Sequence, residues 1–169
     1  KQKLNVSGDI RTGVEFPEVD PISGAITERM TRIRDQNIRS NVSCDIVLDD
    51  GTNCVIDEDT YVNGSLSVSD GSTLRIEDGA TVHVNGGMDV GEDGSIEFDS
   101  SDSDLAIFVD GELVMKNNAK IRSDGGGRTE LLVDGAVEVR NTATITTAED
   151  TRFELYNTGN VDVEDEAQI

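Results

Sequence analysis

Tryptophan is absent from this 169-residue chain, and tyrosine occurs only twice and phenylalanine four times. No aromatic platform for stacking sugar rings is evident, and any interior must be built from aliphatic side chains. Histidine occurs once, at His83, and cysteine twice, at Cys44 and Cys54, too few together for a closed four-ligand zinc site. Basic residues are scarce, 14 against 35 acidic, for a net charge of −21. Nucleic acid and anionic membrane surfaces both need positive charge and are excluded as partners. No apolar run approaches the roughly 18–20 residues of a helical membrane span, and no secretory signal pattern is present. A nucleophile elbow, a P-loop and a dinucleotide fingerprint are likewise missing.

What is present is a phrase that keeps returning. Val62-Asn63-Gly64, Val84-Asn85-Gly86, Val109-Asp110-Gly111 and Val133-Asp134-Gly135 are followed by a looser Leu155-Tyr156-Asn157-Thr158-Gly159, at steps of 22, 25, 24 and about 22 residues. Behind each comes an apolar pair (Leu66/Val68, Met88/Val90, Leu113/Met115, Val137/Val139, Val161/Val163). Eight residues beyond that pair lies a third position or pair (Leu74/Ile76, Ile96/Phe98, Ile121, Ile145, Ile169). Alternation at period two marks strands with one buried face. The Asn-Gly and Asp-Gly steps between them suit corners that require positive φ. A unit this small cannot bury its own apolar face, so the repeats must stack. The pattern predicts an all-β chain: a right-handed, three-sided parallel β-helix, or β-solenoid, of about five coils over 60–169. An antiparallel sandwich explains short strands but not a three-beat pattern that survives five repetitions.

The first forty residues differ in charge, with seven basic against six acidic, whereas the remainder carries seven against 29. Residues 1–20 read as an extended arm with Leu4, Val6, Ile10, Val14 and Phe16 as apolar positions before Pro17. Residues 21–40 read as an amphipathic helix over 22–38, opened by Asp20-Pro21. Its apolar stripe is Ile26, Met30 and Ile33, with Arg29, Arg32 and Arg34 beside it, and its expected role is to cap one end of the solenoid. Residues 41–59 read as a hairpin or first irregular coil closed by a Cys44–Cys54 disulfide, which implies an oxidising, extracytoplasmic setting. Asn5, Asn41 and Asn63 head three glycosylation sequons. His83, between Val82 and Val84, is placed by alternation on the outer surface. Asp57-Glu58-Asp59 and Asp102-Ser103-Asp104 offer at most weak surface Ca²⁺ binding and match no calcium-loop pattern. No other cofactor chemistry, and no catalytic constellation, is visible.

The runs from Asn53 to Val68 and from Leu105 to Leu113 resemble haloarchaeal surface proteins of pilin-like architecture. In those, a hydrophobic N-terminal segment precedes a short helix, a cysteine pair and an acidic β-solenoid. Bactofilins, cytoplasmic β-helices that polymerise end to end, are similar in architecture but lack a disulfide. The first resemblance implies a secreted, halophilic structural protein, a subunit of a cell-surface filament or adhesive assembly. Its acidic surface should then gain stability with salt, because screening relieves self-repulsion. Head-to-tail self-assembly is expected to join Leu4, Val6, Ile10, Val14 and Phe16 of one subunit to the coil of Val161, Val163 and Ile169 in the next. Cell-surface glycans are a further candidate partner. A carbohydrate-binding or polysaccharide-degrading β-helix is the alternative, although the outward basic residues on the coils are few and scattered.

Overall fold

The computed structural model describes residues 47–77, 79–101 and 103–169, which form a three-sided parallel β-solenoid. Its first side stacks β1 (Val47–Leu48), β4 (Leu66–Val68), β7 (Met88–Val90), β10 (Leu113–Met115), β13 (Val137–Val139) and β16 (Val161–Val163). The second side stacks β2 (Asn53–Ile56), β5 (Thr73–Ile76), β8 (Ser95–Asp99), β11 (Lys120–Asp124) and β14 (Thr144–Thr147). The third stacks β3 (Thr60–Val62), β6 (Thr81–Val84), β9 (Leu105–Val109), β12 (Arg128–Val133) and β15 (Arg152–Asn157). Every strand is parallel to its copies, so five complete coils are followed by the start of a sixth. At about 4.8 Å per strand the column is some 24 Å tall.

Register turns the repeated phrases into rows along the axis. Leu66, Met88, Leu113, Val137 and Val161 form one row, and Val68, Val90, Met115, Val139 and Val163 the next. On the second side Cys54, Leu74, Ile96, Ile121 and Ile145 line up, and a bridge between Thr144 and Gln168 carries the ladder on toward Ile169. These rows fill the core with aliphatic side chains, as alternation requires. Coil 4 breaks the pattern. There Ser123 and Thr129 point inward and bond each other at 2.7 Å, while Phe98 and Phe153 close in above and below, their rings 6.4 Å apart and edge to face.

Three details refine the reading of the repeats. Of the two readings for 41–59, hairpin or first irregular coil, the described part from Val47 is a first coil, because β1 and β2 pair in parallel with β4 and β5 rather than with each other. The last repeat is aligned by Val133 opposite Asn157, a step of 24, so Leu155 continues the row of Ile107 and Leu131 instead. Glycine at the Val-x-Gly corner mostly answers close approach rather than positive φ. A Cβ on Gly111 would stand 2.9 Å from Gly86 carbon, and one on Gly135 would stand 2.6 Å from Gly111 oxygen. Left-handed backbone is concentrated at the corner between the first and second sides, at Asp50, Asp70, Glu92, Asp93, Asn117, Asn118, Asn141, Thr142 and Asp165. Asn and Asp tolerate that conformation better than other side chains. The expected arm and helix, with Leu4, Val6, Ile10, Val14 and Phe16, lie outside the described residues.

Candidate functional site

The outward positions of the third side make a surface unlike the rest of the column. Tyr61, His83, Phe108, Leu132 and Tyr156 are in register and form one stripe parallel to the axis. Each sits directly before a residue of the Val row, so one step of alternation turns it outward. The His83 ring meets Tyr61 at 5.1 Å and Phe108 at 5.0 Å between centroids, both edge to face, a favourable arrangement for rings. Its Nε2–H donates to Asp110 Oδ2 at 3.0 Å, the carboxylate fixing that tautomer because it can only accept. Expected on the open surface, His83 is instead fully enclosed, with 0% exposure. Alternation fixed its direction correctly. What alternation could not convey is that this outer position is covered.

A second outward row, Thr81, Ala106, Glu130 and Glu154, runs beside the stripe. Arg128 spans its acidic half, with its guanidinium 2.5 Å from Glu130 and its Nε 2.7 Å from Glu154. Burial pushes the Glu130 carboxyl above the ordinary glutamate range, and Arg128 only partly offsets it. Burial also raises Glu154, but hydrogen bonds from Arg128 and Arg152 outweigh it and hold that carboxyl below the usual range. Lower on the face, Phe108, Leu132 and Tyr156 open onto a groove of about 320 Å³ edged by Asp134 and Thr158.

The basic residues of the column serve mainly to link coils. Arg75 reaches Asp99, Lys116 reaches Asp89, Arg128 reaches Glu154 and Arg140 reaches Asp162, in each case one coil away. They do not gather into a cleft. Among the described residues, no three His, Cys, Asp or Glu side chains are grouped closely enough to hold a metal ion. Asp57, Glu58 and Asp104 are surface residues, and Asp102 lies outside the described set. Where the first and second sides meet, Asp70 bonds Glu92 and raises its carboxyl above the usual range, as two crowded acids must.

The two ends of the column contrast. Leu48, Cys54, Ile56 and Val62 of the first coil are as buried as residues of the middle coils. At the other end Val161, Val163 and Ile169 stand 49, 46 and 58% exposed, and Phe153 and Leu155 are half-buried. Cys54 points into the first-coil core, whereas Cys44 lies outside the described residues. Asn63 is exposed at a corner, 3.4 Å from the Asn85 amide of the next coil, while Asn5 and Asn41 lie outside the described residues. The outer stripe was missed in the sequence, yet its signal was there: the residue before each repeating valine is Tyr, His, Phe or Leu.

No curated protein and no solved structure matches the chain. A family model does match, over residues 3–169, and on that extent the chain belongs to the family described as domain of unknown function DUF7305.

Proposed function

We propose that this protein is a structural, extracellular subunit of a cell-surface filament or adhesive assembly, joined head to tail. The observation that carries the reading is the contrast between the ends, one sealed and one presenting an aliphatic ladder. Among the described residues no strand pairs with the outer edge of β16, next to exposed Val161 and Val163, and such an edge is a template that proteins seldom leave bare. A parallel strand from a second subunit continues the register at no cost in new architecture. Residues 1–16, with alternating Leu4, Val6 and Ile10, supply such a strand, and the near-neutral N-terminal forty residues meet a strongly acidic column. The contact is heterologous, so it propagates into filaments unless its rotation closes a ring.

The secreted setting rests on the acidic surface and on a Cys44–Cys54 disulfide. Cys54 is directed into the first-coil core, so such a bond would be anchored at the enclosed end of the column. The carbohydrate-acting alternative draws less support, because the coil-linking arginines are already engaged with carboxylates along the column. Electron microscopy and sedimentation of the full chain, alone and lacking 1–16, test the proposal. Filaments from the full chain and folded monomers from the truncated one are expected. Filaments from both, or a full chain that stays monomeric at high concentration and salt, would overturn it.

A further inference from the structure

Two Asn-Gly steps occur in the chain, Asn63-Gly64 and Asn85-Gly86, at the same corner of successive coils. Such a step is chemically labile. With no Cβ on the glycine to obstruct it, the glycine amide nitrogen can reach the side-chain carbonyl carbon of the asparagine. Both asparagines are exposed, so motif and exposure rate them alike. Their backbones do not. Gly86 is wedged into the corner stack: a Cβ on it would stand 2.8 Å from Gly64 oxygen, and one on Gly111 of the next coil 2.9 Å from Gly86 carbon. The Asn85 N–H donates to Val62 oxygen at 2.9 Å, and its side-chain amide reaches Asn63 Oδ1 at 3.4 Å. Gly64 heads the stack. Among the described residues no atom lies within 4 Å of a Cβ built on it. Its N–H donates to Val62 oxygen at 3.1 Å within a three-residue turn, a bond that local motion can break without disturbing another coil.

We propose that Asn63 is a site of spontaneous deamidation and that Asn85, one coil on, is protected from it. The Gly64 amide nitrogen gives up its proton and attacks Asn63 Cγ. The N–Cγ bond forms as the Cγ–Nδ2 bond breaks, and the departing nitrogen takes a proton and leaves as ammonia. Water then opens the five-membered imide at either carbonyl, leaving aspartate or isoaspartate. One water is consumed and one ammonia released, with no change of oxidation state. The corner accommodates the product, because the equivalent positions of coils 3 and 4 are Asp110 and Asp134, each followed by glycine. Isoaspartate lengthens the main chain by one methylene. At Gly64 that change falls at the head of the stack, whereas at Gly86 it would press on the backbones of Gly64 and Gly111. The Asn63 amide nitrogen is also the acceptor of the Asn63-Gly64-Ser65 sequon, so a glycan and the imide exclude each other there. The reaction does not depend on filament formation.

The full chain, produced in a host that adds no N-glycan, is incubated at mildly alkaline pH in heavy-oxygen water and mapped by peptide mass spectrometry. Each site's rate is divided by its own rate in guanidinium chloride, which removes the influence of neighbouring sequence. On that scale Asn85 should lag Asn63 by at least about tenfold, because only its reaction requires the corner stack to open. Labelled aspartate and isoaspartate should accumulate at Asn63 while the far-ultraviolet β signal persists. Asn63→Gln in the otherwise intact chain should remove the leading acidic species from ion exchange. Asn85 keeping pace with Asn63 overturns the proposal. So does an Asn63 that stays intact while its unfolded counterpart reacts, or an acidic species that forms as fast in Asn63→Gln.

Discussion

Ser123 and Thr129 allow a quantitative test of how the column tolerates polarity in its core. Both are fully buried, and their hydroxyls are 2.7 Å apart, each the other's partner. Ser123→Ala removes one hydroxyl and orphans the other, which costs about 1–3 kcal/mol rather than the smaller net worth of a hydrogen bond. Thr129→Val is nearly isosteric and orphans Ser123 at a similar cost. Together the two substitutions leave no unsatisfied group, so the double variant should lie within about 1 kcal/mol of the parent. If the losses were independent, the pair would cost about 4 kcal/mol, and the predicted coupling is therefore about 2 kcal/mol or more. Urea denaturation at unchanged slope reads it directly. In thermal scans each single variant should melt about 2–12 °C lower for a domain of this size. A double variant as unstable as the sum of the singles would refute the reasoning, because each hydroxyl would then have another partner.

Gly111→Ala forces a Cβ against the backbone of Gly86 and Gly87 at 2.9 Å, and should cost about 1–3 kcal/mol by chemical denaturation; a neutral result would mean that the corner stack relaxes freely. For Glu130, burial raises the folded carboxyl, so the native state holds its proton more tightly than the unfolded chain does. That contribution to stability is present at low pH and is lost as pH rises from the ordinary glutamate value of about 4.3 through the raised one. Glu130→Gln should accordingly compare best with the parent near neutral pH, with its relative standing in melting curves falling as pH drops through the raised value to about 4.3 and holding level below that. Intact mass with and without reduction, after thiol blocking, should reveal one Cys44–Cys54 bond, and its reduction should lower stability by about 2–3 kcal/mol.

The architecture was legible because each coil repeats the same inward rows, and period-two alternation gives the same answer in every repeat. The first coil stayed open between a hairpin and an irregular coil because its step is shorter. Leu48 to Val68, Cys54 to Leu74 and Ile56 to Ile76 are each 20 residues, while later steps on the same sides reach 25. Corners absorb such differences, so a fixed period loses count where corners shrink. Glycine's role was misjudged at one corner for a related reason. Identity alone does not distinguish a residue chosen for its φ from one chosen because a neighbouring coil leaves no room for a Cβ. His83 shows the main limit. Alternation states which way a side chain points, whereas burial depends on what lies opposite it.

The contrast between a sealed and an open end also bears on how the column comes apart. Each coil is held only by its two neighbours, so stability propagates along the axis and is weakest where a neighbour is missing. Unravelling should start with β16, where Val161 and Val163 already face solvent, and advance coil by coil toward Leu48 and Val62. Folding is then expected to reverse the order, with the enclosed first coil as the seed on which later coils are laid. Amide exchange should therefore form a gradient along the axis, fastest in β16 and slowest toward the enclosed coils. A column with one loose end is expected to work as a ratchet, shedding and regaining its last coils while the rest stays intact.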